Sequence, residues 1–249
     1  MIRGIKTALA ALAIATLSWT HAGPARAADL VVATDTAFVP FEFQENGKYV
    51  GFDIDILDAL TKRVGVTYEL RPMDFNGIIP ALQTGSIDMA VAGMTIKSER
   101  MKVVDFSYPY YDTSVRMMVS SKNTTINSAE DMKGKVVAVK TGTTSVQIAQ
   151  KYGAAEVKQF PNIDGAYLEV RAGRADVAIY DAPNVLYYIK TAGNGEVKAV
   201  GPAMEAQTYG MAYPIDSKWR KKFDIALLQM IETGEYATIY EKWFGKKPN

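Results

Sequence analysis

Ile79-Pro80-Ala81-Leu82-Gln83-Thr84-Gly85-Ser86-Ile87-Asp88-Met89-Ala90-Val91-Ala92-Gly93 reads as a short helix, a glycine stop and an apolar strand. The same order returns in Tyr167-Leu168-Glu169-Val170-Arg171-Ala172-Gly173-Arg174-Ala175-Asp176-Val177-Ala178-Ile179-Tyr180-Asp181, with Gly173 on Gly85 and Asp176 on Asp88. A helix, then Gly-x-x-Asp, then a strand, met twice at one offset, points to an internal duplication. A second echo pairs Val31-Val32-Ala33-Thr34-Asp35 with Val136-Val137-Ala138-Val139-Lys140, each an apolar strand that runs into a polar residue and a turn.

Outward from these repeats the two periodicities alternate. Leu30 to Ala33 is a short strand, and Ile56, Leu57, Leu60 and Val64 give Ile54 to Val64 a helical spacing. Strand character returns at Val66 to Leu70, a short helix at Ile78 to Gln83 and a strand at Met89 to Ala92. The class is therefore α/β, and the duplication predicts two similar lobes. Asp53 or Asp55 is the N-cap candidate of the first long helix, and Gly85 and Gly173 are stop signals. The lobes are expected to join near Tyr108 to Ser114, before a strand at Val115 to Val119. Trp219, Phe223, Leu227 and Ile231, at four-residue spacing, predict a buried helix face. If that tail packs back on the first lobe, the chain crosses between lobes twice, near 110–114 and 206–210. The expected division is 28–112 with 208–249 in lobe 1 and 113–207 in lobe 2.

Residues 1–27 have the pattern of a secretory leader: basic Arg3 and Lys6, an apolar run from Thr7 to Trp19, and Ala25-Arg26-Ala27 as a cleavage site. Those 13 apolar residues fall short of the roughly 20 that cross a bilayer as a helix. Cleavage after Ala27 would leave 222 of the 249 residues, and losing Arg3, Lys6 and Arg26 leaves 25 basic against 27 acidic groups. Such a nearly neutral chain has no charge excess for a nucleic acid backbone. There is no cysteine, so disulfide staples and a lipid carried on cysteine are both absent, and an untethered exported solute handler makes sense mainly in a periplasm. The only histidine, His21, falls in the leader. The mature chain therefore has no histidine for Ser-His-Asp catalysis, general acid/base work or a zinc site. No metal or cofactor is expected.

In open α/β sheets ligands bind beyond the carboxyl ends of the strands. Those ends deliver Asp35, Gly93 with Thr95, Lys140 and Asp181, two sets facing a cleft between the lobes. Arg100, five residues after Thr95, offers the two-pronged donor a carboxylate needs. It reads equally as the solvated end of a charged run with Lys97, Glu99 and Lys102. Lys140-Thr141-Gly142-Thr143-Thr144-Ser145 opens a helical run from Val146 to Tyr152, and amides and hydroxyls there form an anion site. The phosphate-loop order is absent, and Gly193-x-Gly195 has no third glycine, so nucleotide binding is disfavoured. Asp181 could simply cap the helix begun by Ala182-Pro183, and Phe38, Phe41, Phe43 and Phe75 could all be core. Asp53-x-Asp55-x-x-Asp58 lacks the glycine and terminal glutamate of a calcium loop and fits a helix start.

Val32-Ala33-Thr34-Asp35-Thr36-Ala37-Phe38-x-Pro40-Phe41-Glu42-Phe43, Gly51-Phe52-Asp53-Ile54-Asp55, Met73-Asp74-Phe75-x-Gly77-Ile78-Ile79-Pro80 and Gly93-x-Thr95-Ile96-x-x-Glu99-Arg100 together carry a resemblance. From about Asp29 to Phe244 the chain resembles the periplasmic glutamine-binding proteins of polar amino acid ABC importers, in bacterial solute-binding protein family 3. The resemblance implies the type II periplasmic-binding fold, with two α/β lobes joined by a two-strand hinge and the ligand cleft between them. It further implies that Arg100 with the backbone and hydroxyl of Thr95 holds the α-carboxylate, helped by the Thr144 amide. Asp181, the Gly93 carbonyl and Thr95 would hold the α-ammonium. Asp35 and Lys140 would meet the side-chain amide while Phe38 and Phe75 sandwich the stem. Two contact positions depart from the glutamine pattern: Tyr180 replaces the histidine of a His-Asp pair, and Thr144 replaces a glycine.

The implied function is capture of a polar L-amino acid, glutamine first, and delivery by a monomeric periplasmic protein to the membrane permease of an importer. The alternatives are a binding protein for another polar amino acid, an exported enzyme on the same fold such as a cyclohexadienyl dehydratase, or a receptor ectodomain. The enzyme needs a general acid beside the ligand. The receptor needs a transmembrane segment, and none follows residue 27.

Overall fold

The computed structural model describes residues 28–248, so the expected leader, with His21, lies outside the described residues. The first lobe begins with β1 (Leu30–Asp35), buried along nearly its whole length as a central parallel strand must be. A hairpin of β2 (Phe43–Glu45) and β3 (Lys48–Val50) follows, then α1 (Phe52–Val64), β4 (Tyr68–Met73), α2 (Phe75–Gln83), β5 (Met89–Ala90), α3 (Ser98–Met101) and β6 (Asp105–Phe106). The second lobe holds β7 (Tyr111–Ser120), β8 (Val136–Lys140), α4 (Thr144–Lys151), β9 (Glu156–Phe160), α5 (Ile163–Arg171), β10 (Val177–Asp181), α6 (Ala182–Thr191) and β11 (Val197–Tyr209). The chain returns to the first lobe in β12 (Ala212–Tyr213), α7 (Arg220–Glu232) and α8 (Glu235–Phe244).

The duplication is real at the level of topology. One sheet runs β4-β1-β5-β12-β6 and the other β9-β8-β10-β7-β11, each with three parallel strands followed by strands that enter antiparallel. The repeated aspartate has the same task in both copies. Asp88 accepts from the Val31 amide and Asp176 from the Val136 amide, each at 2.8 Å, tying the last strand of the repeat to the foot of the central strand. Gly85 and Gly173 follow the ends of α2 and α5 with φ of 68° and 70°, as the stop signals predict.

Two sequence expectations are corrected. The N-cap of α1 is Gly51, not Asp53 or Asp55. At φ 139°, an added Cβ on Gly51 would stand 2.0 Å from the Phe41 carbonyl oxygen, so the chain passes too close for any other residue and the helix starts earlier. Asp53 is thereby turned inward and fully buried. In α7 the buried face is Phe223, Ala226, Leu227 and Met230, while Ile231 is 46% exposed and Trp219 precedes the helix. A four-residue spacing drifts about 40° per step on a helix of 3.6 residues per turn, so it cannot hold one face for twelve residues.

The tail does pack on the first lobe: Arg63 pairs with Glu235, and Lys242 and the Trp243 indole both donate to Asp55 at 2.6 Å. The two crossing strands β7 and β11 pair antiparallel, with Tyr111 opposite Tyr209, Asp112 opposite Thr208 and Thr113 opposite Gln207. Around that crossing lies a seam of rings. Phe41 meets Tyr111 at 4.9 Å, Phe52 meets Phe244 at 5.2 Å, and Tyr111 stacks on Tyr209 at 5.6 Å. Burying rings of this size holds the base of the cleft together where backbone connections are few.

Candidate functional site

Strand ends from both sheets converge between the lobes. Asp35 closes β1, Gly93 and Thr95 follow β5, Lys140 closes β8, and Tyr180 and Asp181 close β10. Parallel strands all end on the same side of their sheet, which is why four such ends can share one cleft.

Phe75, Gly93, Thr95, Arg100, Thr144, Tyr180 and Asp181 line one small cavity, with Ala92 and Thr143. Both lobes contribute to its wall. Arg100 is not a free surface charge: Nη1 donates to the Thr95 carbonyl at 2.9 Å and Nη2 to the Gly142 carbonyl of the other lobe at 3.0 Å. Its guanidinium stands 5.3 Å from the centre of the Phe75 ring. Burial lowers its pKa to about 10, which leaves it charged at neutral pH.

Asp181 sits at the N-cap position of α6, yet its side chain makes no cap bond. It accepts instead from the Tyr209 hydroxyl at 2.5 Å. Burial pushes its pKa up to about 6, against the opposing pull of the Tyr209 hydrogen bond and of Arg100 and Lys140. Arg100 and Asp181 therefore set a guanidinium and a carboxylate on one cavity from opposite lobes. Tyr180 beside them is buried, and desolvation holds its phenol well above the usual tyrosine range, so it is neutral.

Asp35, Lys140 and Phe38 do not line that cavity. Asp35 and Lys140 form a buried ion pair with each other, joining the two lobes directly. Thr36 donates its amide to the other Asp35 oxygen at 2.8 Å, and Lys140 also reaches Asn162 at 3.4 Å. Burial raises the Asp35 carboxyl and the adjacent ammonium pulls it back down. Phe38 stacks on Phe41 at 4.7 Å and turns an edge to Tyr180 at 5.3 Å, so it belongs to the aromatic seam. It also abuts Gly93, where a Cβ would fall 2.3 Å from the Phe38 ring.

Residues with no local signature complete the arrangement. Asp53 accepts from the Gly93 amide and from the Tyr110 hydroxyl, both at 2.8 Å, so it holds the backbone at the cavity floor. Its pKa is pushed up to about 6 by burial. Glu42, also fully buried, is raised well above the carboxylate range by desolvation and by Asp53. Asn184 crosses from α6 to the Val39 carbonyl at 2.7 Å, and Gln207 bridges Thr95 and Thr144. Asp53, Asn184 and Gln207 each depend on a partner far away in sequence, so spacing along the chain does not encode these roles.

The inner cavity measures about 10 Å³, far below the roughly 300–1,000 Å³ of small-molecule pockets. No solute of that size fits between the lobes as they stand. A larger groove of about 490 Å³ lies behind the crossing strands between α6 and α8, walled largely by Pro40, Tyr111, Leu186, Tyr187, Tyr240 and Trp243. The inner cavity is the better site despite its size, because opposed charges from both lobes converge there. Among the described residues no helix is long and apolar enough to cross a membrane, and no cluster of metal-ligating side chains occurs.

The profile of bacterial extracellular solute-binding proteins, family 3, matches residues 30–246. The chain is 35% identical to the arginine-binding extracellular protein ArtP of Bacillus subtilis over 222 residues, covering 86% of each chain. It is 33% identical to the ABC transporter glutamine-binding protein GlnH of the same organism, covering 87% of this chain and 81% of that one. The solved structure of an ancestral arginine-binding protein bound to glutamine superposes with a TM-score of 0.83 at 46% identity, over 87% of this chain and 98% of that one. The two lobes have the architecture of type II periplasmic binding proteins. A match along nearly the whole described chain, on this geometry, means that the protein belongs to family 3 of the bacterial extracellular solute-binding proteins.

Proposed function

We propose that this protein captures a polar L-amino acid, L-glutamine before others, in the cleft between its lobes and delivers it to the permease of an ABC importer from the periplasm, acting as a monomer. The observation that carries the reading is the pairing of Arg100 and Asp181 on one cavity from opposite lobes. A zwitterion presents one carboxylate and one ammonium to every such site, and this pair offers each its complement. Arg100 supplies a two-pronged donor to the α-carboxylate with the Thr95 and Thr144 amides, and Asp181 with the Gly93 carbonyl accepts from the α-ammonium.

Selectivity falls to Asp35 and Lys140. A neutral carboxamide inserted between them would donate its NH₂ to Asp35 and accept from Lys140. Arginine or lysine would face Lys140, and glutamate would face Asp35. Relatives that bear the names of arginine- and glutamine-binding proteins support an amino acid ligand without separating these cases.

Neither lobe alone satisfies the ligand, so binding favours the closed form by its differential affinity. The bend is taken up near Tyr111–Ser114 and Ala206–Gly210, where only two strands connect the lobes. Titrating all twenty amino acids by calorimetry tests the assignment, and mass spectrometry of the recovered ligand tests for chemical change, which an exported enzyme would cause. Tighter binding of arginine, lysine or glutamate than of glutamine would overturn the selectivity. An unchanged, open radius of gyration at saturation would overturn the hinge.

A further inference from the structure

Thr95 and Thr144 share a partner outside the inner cavity. Gln207 on β11 has its carboxamide between them: Thr95 Oγ1 donates to Gln207 Oε1 at 2.8 Å, and Gln207 Nε2 donates to Thr144 Oγ1 at 3.0 Å. Both threonines are nearly buried and line the inner cavity on one side. On the other side they line an outer groove of about 420 Å³, and Gln207 belongs to the wall of that groove only. The amide thus presses on two hydroxyls from the solvent side while their remaining valences face the ligand space.

A hydroxyl has one proton and two lone pairs. Thr95 has given its proton to Gln207 and can only accept from the cavity side. Thr144 is the opposite case. Thr144 Oγ1 accepts from Nε2 at 3.0 Å and also donates to Oε1 at 3.2 Å, a longer bond to an oxygen that the Thr95 hydroxyl already satisfies at 2.8 Å, so a ligand carboxylate can draw the Thr144 proton away without leaving either end of the amide unpaired. Thr144 is thus the hydroxyl whose proton is available to the cavity when a ligand arrives.

We propose that Gln207 is a positioning residue that sorts the two α groups of the ligand, making Thr95 an acceptor for the ammonium and Thr144 a donor for the carboxylate. The inference rests on the amino acid reading above and deepens it, since it removes the Thr95 hydroxyl from the carboxylate side, where only the Thr95 amide remains. Arg100 and Asp181 share the cavity with both threonines, so the sorted hydroxyls act beside the two charges that the reading above assigns to the α groups. A reversed ligand would bring its carboxylate against an acceptor oxygen and Asp181 together. Because α groups are common to all amino acids, the device is independent of which side chain is preferred.

The full mature chain is titrated with whichever of the twenty amino acids it binds and with the α-hydroxy acid analogue of that ligand. Gln207→Leu frees both hydroxyls, and Gln207→Glu, which only accepts, draws both protons outward. Each is expected to weaken amino acid binding by about tenfold, the scale of one hydrogen bond to a charged group. Gln207→Leu should also narrow the preference for the amino acid over its hydroxy analogue, because a freed Thr95 hydroxyl can donate. In a Thr95→Val/Thr144→Val background Gln207→Leu should have no further effect. Affinity within twofold of wild type, or an equal loss in that background, would overturn the role of Gln207 while leaving the amino acid reading intact. A wild-type protein that binds none of the twenty would overturn both.

Discussion

Replacing Lys140 by methionine removes the ion pair that links the two lobes and, with it, the donor proposed for the ligand's carboxamide. Lys140 is 0% and Asp35 1% exposed, and beyond their mutual contact the aspartate retains only the Thr36 amide. Removing one partner of such a buried pair costs about 3–5 kcal/mol, because it strands the other charge. Here the cost falls on closure more than on folding. In an open cleft Asp35 reaches water, whereas in the closed form it is sealed in. A shift of about 3 kcal/mol is roughly two powers of ten, so the glutamine Kd of Lys140→Met should rise about 100-fold or more. Single-molecule energy transfer between labels on the two lobes should show the closed population falling in step. The pH dependence supplies a second arm. Burial raises the Asp35 carboxyl and Lys140 opposes that rise, so without Lys140 the carboxyl titrates higher still. Protonation then removes the stranded charge, and the variant should regain closure as pH falls. A glutamine Kd within threefold of wild type, or a deficit relative to wild type that does not shrink as pH falls, would refute the reasoning.

Arg100→Ala should weaken binding by about 3 kcal/mol or more, and Arg100→Lys should fail substantially too, since it keeps the charge and loses the fork; a near-normal Kd by calorimetry would leave Arg100 only its bonds to the Thr95 and Gly142 carbonyls, a role in linking the lobes. Asp181 has its pKa raised to about 6 in the ligand-free protein, and an ammonium ligand favours its charged form. Affinity is therefore full above that pH and lost as pH falls through it, a dependence that Asp181→Asn should flatten; a titration with the same slope in both proteins would exclude Asp181 as the source. Gly93→Ala sets a methyl 2.3 Å from the Phe38 ring at φ 51°, which should cost about 1–3 kcal/mol of stability along with ligand affinity. An unchanged melting temperature would show that the seam yields there.

Much of the architecture was already legible in the chain. The twofold helix, Gly-x-x-Asp, strand pattern foretold two similar α/β lobes, because a duplication copies local signals along with topology. The strand ends at Asp35, Lys140 and Asp181 and the segment carrying Gly93 and Thr95 were readable too, since short continuous apolar runs end visibly at polar residues. The helices α1, α2, α4 and α7 were found to within a few residues, whereas α8 was not foreseen.

Other features had no local trace. Asp53 looks like a helix cap until the close passage of Gly51 past Phe41 turns it inward to hold Gly93 and Tyr110. The pairing of Asp35 with Lys140 spans 105 positions, and that of Gln207 with Thr95 spans 112. Sequence by itself determined the periods, the stops and the repeated unit, because these are set by backbone geometry within a few residues. Tertiary structure alone decided which charges are sealed from water and which hydroxyl gives its proton to which amide. Desolvation and hydrogen-bond polarity depend on what the rest of the chain brings against a group, and no spacing along one strand encodes that.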